Sequence, residues 1–124
     1  MNTLEVAVRG VEGDLARVHH PLLGELEIAR AAPEVRDGVA IIRPEKLRLD
    51  FSTPPVAGEV MVDATIEQIA YYGDLSFVFL RLDDGTRLQV SRYNVNRVDR
   101  GDPPAGTRCR IGIHPEDLLL VAAD

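Results

Sequence analysis

At 124 residues, with 45% hydrophobic residues and a net charge of −6, the chain has room for one domain or two small, intimately packed lobes. The acidic balance argues against a protein that tracks phosphate backbones, and a single cysteine excludes an internal disulfide framework. No apolar run reaches the roughly 20 residues that span a bilayer, and the opening Met-Asn-Thr-Leu-Glu has neither part of a signal peptide, so a cytoplasmic chain is expected.

Leu4 to Val11 alternates apolar and polar residues, which predicts a half-buried strand. Glu12-Gly13-Asp14 is a turn, and Leu15 to His19 returns as a hairpin. Pro21 to Gly24 turns the chain again before a strand over Glu25 to Ala29. A polar loop follows around Pro33, and then Val39 to Ile42, a short apolar strand read as buried on both faces. Asp50 to Gly58, with two prolines and a glycine, reads as a linker.

Glu59 to Tyr72 is the longest strand-like run. Val60, Val62, Ala64 and Ile66 keep one parity while Ile69 and Tyr71 keep the other, which predicts a β-bulge near Glu67-Gln68. Leu75 to Leu82 is a strand, Asp83-Asp84-Gly85 a hairpin turn, and Thr86 to Val90 the return. A loop is expected over 91–106, then a strand over Arg108 to Ile113 and a last one over Leu118 to Val121. Cys109 sits between Arg108 and Arg110 at an inward position, as a buried structural thiol would.

The chain repeats itself. Ile42-Arg43-Pro44-Glu45-Lys46-Leu47-Arg48-Leu49 is answered 71 residues later by Ile113-His114-Pro115-Glu116-Asp117-Leu118-Leu119-Leu120. Upstream, Gly13-Asp14-Leu15 is answered by Gly73-Asp74-Leu75, and Gly24 to Ile28 by Gly85 to Val90. Each corner reads as a strand, a short 3-10 or helical turn begun by proline, and a second strand with alternate residues inward. The offsets grow from 60 to 71, so the second copy carries an insertion, read as Arg92 to Pro104. The expected fold is all-β, an OB-like barrel made of two repeated β-units: residues 1–50, a linker over 51–58, and residues 59–124.

The Arg43-Pro44-Glu45 corner, the Ile66-x-x-Ile69-x-Tyr71-Tyr72-Gly73-Asp74 stretch and Leu82-Asp83-Asp84-Gly85 together resemble the transport-associated OB (TOBE) domain. That domain lies at the C-terminus of the ATP-binding subunits of bacterial ABC importers of the putrescine/spermidine, iron and sugar group. The resemblance implies an accessory or regulatory domain, possible polyamine import by the parent protein, an ATPase domain and permease subunits as partners, and a homodimer. It implies a place at the inner membrane only through that complex. The chain has no G-x-x-x-x-G-K-[ST] loop, so none of the family's ATPase residues carries over and no enzyme activity or cofactor is expected. It is expected to be either an excised C-terminal domain or a stand-alone one. The alternatives are a small-molecule module for a polyamine or an oxyanion, and a nucleic-acid OB protein, which the charge disfavours. The Ser-Ala-Arg-Asn opening of the molybdate-binding variant is absent.

Residues shared by both copies (Pro44, Gly73, Asp74, Gly85, Pro115 and Glu116) are read as scaffold. Residues peculiar to one copy are the better candidates for contacts: Arg43 at the first corner, Tyr71 and Tyr72, and Arg92 and Arg97 in the insertion; Glu45, shared with the second corner as Glu116, is a candidate as Arg43's neighbour. Ser91 to Arg97 mixes cations, an aromatic and amides, as a single-strand-binding surface would, but Asp99 and Asp102 share the loop. His19-His20 has no further ligands at useful spacing, so no metal is expected. Asp74, Asp83 and Asp84 read as solvated turn residues and no catalytic pair is expected.

Overall fold

The computed structural model describes residues 1–50, 57–93 and 104–122. Eleven strands are found among them: β1 (Asn2–Glu5), β2 (Ala7–Glu12), β3 (Leu15–His20), β4 (Gly24–Arg30), β5 (Val39–Ile42), β6 (Arg48–Asp50), β7 (Val60–Tyr72), β8 (Leu75–Leu82), β9 (Arg87–Tyr93), β10 (Arg108–Ile113) and β11 (Leu119–Val121). The fold is all-β and OB-like, and the only helical turns among the described residues are two 3-10 turns, Pro44–Lys46 and Pro115–Asp117.

Both turns form for the same reason. Proline supplies the helical φ at the first position and needs no amide partner there. The chain then closes 3-10 bonds from Lys46 N–H to the Arg43 carbonyl (3.0 Å) and from Asp117 N–H to the His114 carbonyl (2.9 Å). Leu47 and Leu118, the next residue in each copy, turn into the core at 4% and 1% exposure.

The strands form two sheets, in the orders β1-β5-β11-β4-β3-β2 and β6-β10-β7-β8-β9. Each corner carries the chain from one sheet to the other, β5 to β6 and β10 to β11, so the copies exchange their last strands. Ile41 pairs with Leu119 in the first sheet; moving each position by 71 gives 112 and 48, and Gly112 pairs with Arg48 in the second. The internal repeat is therefore a pseudo-two-fold relation in space, with the two corner motifs paired antiparallel to each other.

The run predicted as one strand over Leu4 to Val11 divides at Val6 into β1, which pairs with β5, and β2, which pairs with β3. The first sheet therefore curls until its two outer strands are successive pieces of one segment, which protects both edges. In the second copy the same change of partner falls inside one continuous strand, β7, whose first half pairs with β10 and whose second half pairs with β8, so the outer strands of that sheet are β6 and β9. Its register shifts between Ile66 and Gln68, where the bulge was predicted, and Ile66 stands 60 residues after Val6.

Three other expectations are adjusted. Val39 to Ile42 is fully buried on one face only, with Ala40 and Ile42 inward and Val39 and Ile41 half-buried. β9 runs on to Tyr93, so strand pairing replaces loop over residues 91–93. Most of the predicted linker (51–56) and of the predicted insertion, Arg97 included, lies outside the described residues.

The core gathers inward residues from both sheets, among them Leu4, Val18, Ile28, Ile66, Leu80, Ile111 and Leu120, each at or below 1% exposure. Gly73 and Gly85 take φ of 63° and 92°, the left-handed conformations expected of them as turn residues.

Candidate interaction surface

In an antiparallel ladder, residues directly opposite each other point to the same face. In the second sheet the inward rungs are Ile69–Val78–Val90 and, beyond the bulge, Ile66–Leu80–Leu88. The outward rungs are Tyr72–Leu75, Ala70–Phe77–Ser91, Gln68–Phe79–Gln89 and Thr65–Arg81–Arg87. The outer face thus carries Tyr72, Leu75, Phe77 and Phe79. Tyr72 is 64% exposed, and its ring packs edge-on against Phe77 with centroids 5.7 Å apart. One end of the face is charged but internally paired: Glu67 reaches Arg81 at 3.6 Å and Arg87 at 3.4 Å.

The first lobe has the same rungs with different chemistry. Its outward sets are Glu12–Leu15–Ala29, Gly10–Arg17–Glu27 and Ala7–His19–Glu25. Offset by 60, Glu12 stands where Tyr72 does, Arg17 where Phe77 does, and His19 where Phe79 does. Glu25 lies beside them, 3.3 Å from His19 Nδ1 and 3.9 Å from Arg9 Nε.

The structure sorts the candidate residues. Tyr71 and Tyr72, adjacent in one strand, project to opposite faces, although both are exposed. Tyr71 shares a rung with Ser76 and Arg92, and Arg92 Nε lies 3.4 Å from the Ser76 hydroxyl. Arg43 and Glu45 are exposed on the first corner, which packs against β9, the strand that carries Arg92. Arg92 itself has a counterpart in Arg30, 62 residues earlier, which donates to the carbonyls of Gly13, Pro33 (2.9 Å) and Val35 (3.2 Å). Its place at the end of a strand is therefore common to both copies.

Phe77 and Phe79 were missed by sequence reasoning. The signal was present in Leu75 to Leu82, which is apolar at both parities until Arg81; such a strand needs cover on two faces, and the fold covers one.

The remaining candidates are engaged. Asp83 accepts two bonds from Arg108, at 2.7 and 3.3 Å, and that hydrogen bonding holds its carboxyl below the usual range. Cys109 is buried on β10, and desolvation pushes its thiol up to about 11, far from the thiolate a reactive cysteine needs. His20 is buried with both ring nitrogens facing protein partners, which leaves no lone pair for a metal. At the junction of the sheets, Asn2 does for β9 what a neighbouring strand would. Its amide donates to the Gln89 carbonyl at 2.8 Å and accepts the Gln89 N–H at 2.7 Å.

The described residues form an OB-like β-domain of two sheets, with Tyr72, Phe77 and Phe79 on the outer face of the second. The TOBE domain family model matches residues 40–121, and the chain belongs to that family. It is 30% identical over 91 residues to the spermidine/putrescine import ATP-binding protein PotA of Pseudomonas aeruginosa strain UCBPP-PA14, a match covering 72% of this chain and 25% of that protein. It is 35% identical over 99 residues to PotA of Rubrobacter xylanophilus, covering 75% of this chain and 24% of the relative. The chain thus spans about a quarter of the length of the curated relatives it matches. Among solved structures, the fold is similar to that of the cytoplasmic molybdate-binding protein ModG, with a TM-score of 0.75 at 15% identity over 98% of this chain and 95% of that one. Among the described residues no helix is long and apolar enough to cross a membrane.

Proposed function

We propose that this chain is the accessory, regulatory domain of an ABC importer's ATP-binding protein, working beside an ATPase domain and permease subunits. It makes contacts within that assembly, to a second copy of itself or to a protein regulator. The polyamine relatives favour spermidine or putrescine as the parent's cargo. The reading rests on one observation: the outward rungs of β7, β8 and β9 carry Tyr72, Leu75, Phe77 and Phe79, where the equivalent rungs of the other lobe carry Glu12, Leu15, Arg17 and His19. A scaffold requirement would be met alike in both copies. Aromatic side chains left on one outer face only are what a contact surface needs.

Sedimentation velocity across a concentration series tests this. The isolated chain is expected to self-associate weakly, since its interface is expected to fall below the roughly 1,000 Å² of a stable contact. Phe77→Arg and Tyr72→Ala should shift the equilibrium toward monomer, with circular dichroism unchanged; Arg43→Ala should do so to a smaller degree. A strict monomer at millimolar concentration removes the self-contact, and a dimer indifferent to all three variants discards this face.

A stand-alone small-molecule module is favoured by one observation, the match in fold to nearly the whole of a molybdate-binding chain. Calorimetric titration with molybdate and with spermidine separates the two readings, because a contact domain should bind neither.

A further inference from the structure

His20 ends β3 with its side chain 1% exposed. Its Nδ1 accepts the backbone N–H groups of Leu22 at 3.1 Å and Leu23 at 3.3 Å, inside the turn between β3 and β4. A ring nitrogen that accepts carries no proton, so the imidazole is neutral with its proton on Nε2. That Nε2 faces Oδ2 of Asp84 at 3.4 Å. Asp84 lies in the turn between β8 and β9, and its Oδ1 accepts the Thr86 N–H at 2.9 Å. One side chain therefore ties a turn of the first lobe to a turn of the second.

We propose that His20 is a proton-operated latch between the two lobes. In the neutral state it accepts from one turn and donates to the other. Protonation places an N–H at Nδ1, against the two N–H groups of Leu22 and Leu23. These amides must then turn away, and Leu23, only 8% exposed, leaves the core with them.

The titratable groups that act on the ring are Asp84, which faces it from the β8–β9 turn, and His19, its neighbour on the opposite face of β3. The β3–β4 turn, Pro21 to Gly24, contributes no titratable side chain, and Asp83 is engaged by Arg108 at 2.7 Å. Burial holds the His20 ring below the ordinary histidine value; Asp84 pulls the other way, and His19 adds to the lowering. The folded state thus favours the neutral ring. Its contribution is fully present above the unfolded value of about 6.5 and is lost as pH falls through the folded value.

The test is an NMR titration of the whole chain from about pH 8 to pH 4.5, following the histidine rings and the amides of Leu22, Leu23 and Thr86. His20 should titrate below about 6.5. Opening of the Leu22 and Leu23 amides, from hydrogen exchange corrected for intrinsic rates, should rise about tenfold per pH unit between 6.5 and that midpoint, then level. His20→Gln offers an acceptor oxygen and a donor amide in place of the neutral ring's pair, so it should keep both amides protected and abolish the rise. Asp84→Asn removes the charge that favours the protonated ring, so the His20 midpoint should fall further. A midpoint at or above 6.5, amides that ignore the His20 titration, or the same acid opening in His20→Gln would each overturn the latch. Should His20→Gln not fold, an unchanged or raised midpoint in Asp84→Asn overturns it instead.

Discussion

Where the first lobe sets the rung Gly10–Arg17–Glu27 toward solvent, the second sets Ala70–Phe77–Ser91. The inward rungs beside them, Val8–Val18–Leu26 and Ile69–Val78–Val90, are apolar in both. Two copies of one scaffold thus hold their cores alike while their outer faces diverge. Burial disciplines the inner face, because one misplaced polar group there costs a few kcal/mol. The outer face is free of that discipline, so its composition reports what it meets. The difference between the lobes separates what folding requires from what contact requires.

The comparison breaks first where the lobes are not equivalent. Position 112 is glycine where its counterpart is Ile41, because the buried carboxylate of Glu59 lies over it; a Cβ there would come within 2.1 Å of a carboxylate oxygen. Glu59 is in turn held by Arg48, which donates from Nη2 at 2.5 Å and from Nε at 2.9 Å. Gly112→Val is expected to destabilise the chain by about 3 kcal/mol in urea unfolding, the upper end of overpacking costs, since a buried ion pair must move. Ile41→Val, at the equivalent rung, should cost only about 0.5–1.5 kcal/mol. Equal losses would mean that the two corners pack alike after all.

Next in size is the seam. Asn2→Ala leaves both the N–H and the carbonyl of Gln89 without the amide that pairs them. A loss of about 2 kcal/mol is expected, with faster hydrogen exchange at Gln89 as the local sign. A variant with parental exchange at that amide would show that β9 does not depend on β1 for its edge.

A smaller effect tests the scaffold itself. Gly13 and Gly73 take φ of 58° and 63°, and neither has a neighbour that a Cβ would strike. Alanine at either should cost about 1–2 kcal/mol through backbone conformation alone, and the two costs should match. Unequal costs would show that one hairpin tip carries a strain its partner lacks.

The smallest effect on stability is expected on the outer faces. Phe77→Arg puts into the second lobe the residue type that the first lobe has at Arg17, and chemical unfolding should change by about 0.5–1 kcal/mol, the loss of its edge-on contact with Tyr72. The same variant should abolish self-association, so stability and contact part company at this position. A large loss of stability would place Phe77 in the core and remove it from the interface.

Much of this was legible in the sequence. Apolar alternation marked the strands, proline opened both corners, glycine marked the turns, and a parity change in β7 marked the bulge. These are local signals, each arising from the steric limits of a few consecutive residues. The motif of Pro44 and Pro115 also announced two like units. Their exchange of β6 and β11 was not legible, since a sequence repeat does not say whether a strand pairs within its own copy or with the other. That depends on which sheet each corner turns toward. The partnerships of Asn2 with Gln89 and of His20 with Asp84 were equally hidden, because they join residues 87 and 64 positions apart through geometry alone. The sequence by itself determined the strands, the turns and the duplication. Only the tertiary structure decided which of the two apolar parities of Leu75 to Leu82 would be left half-buried on the outer face, because an apolar side chain stays partly uncovered only where no neighbouring layer packs over it.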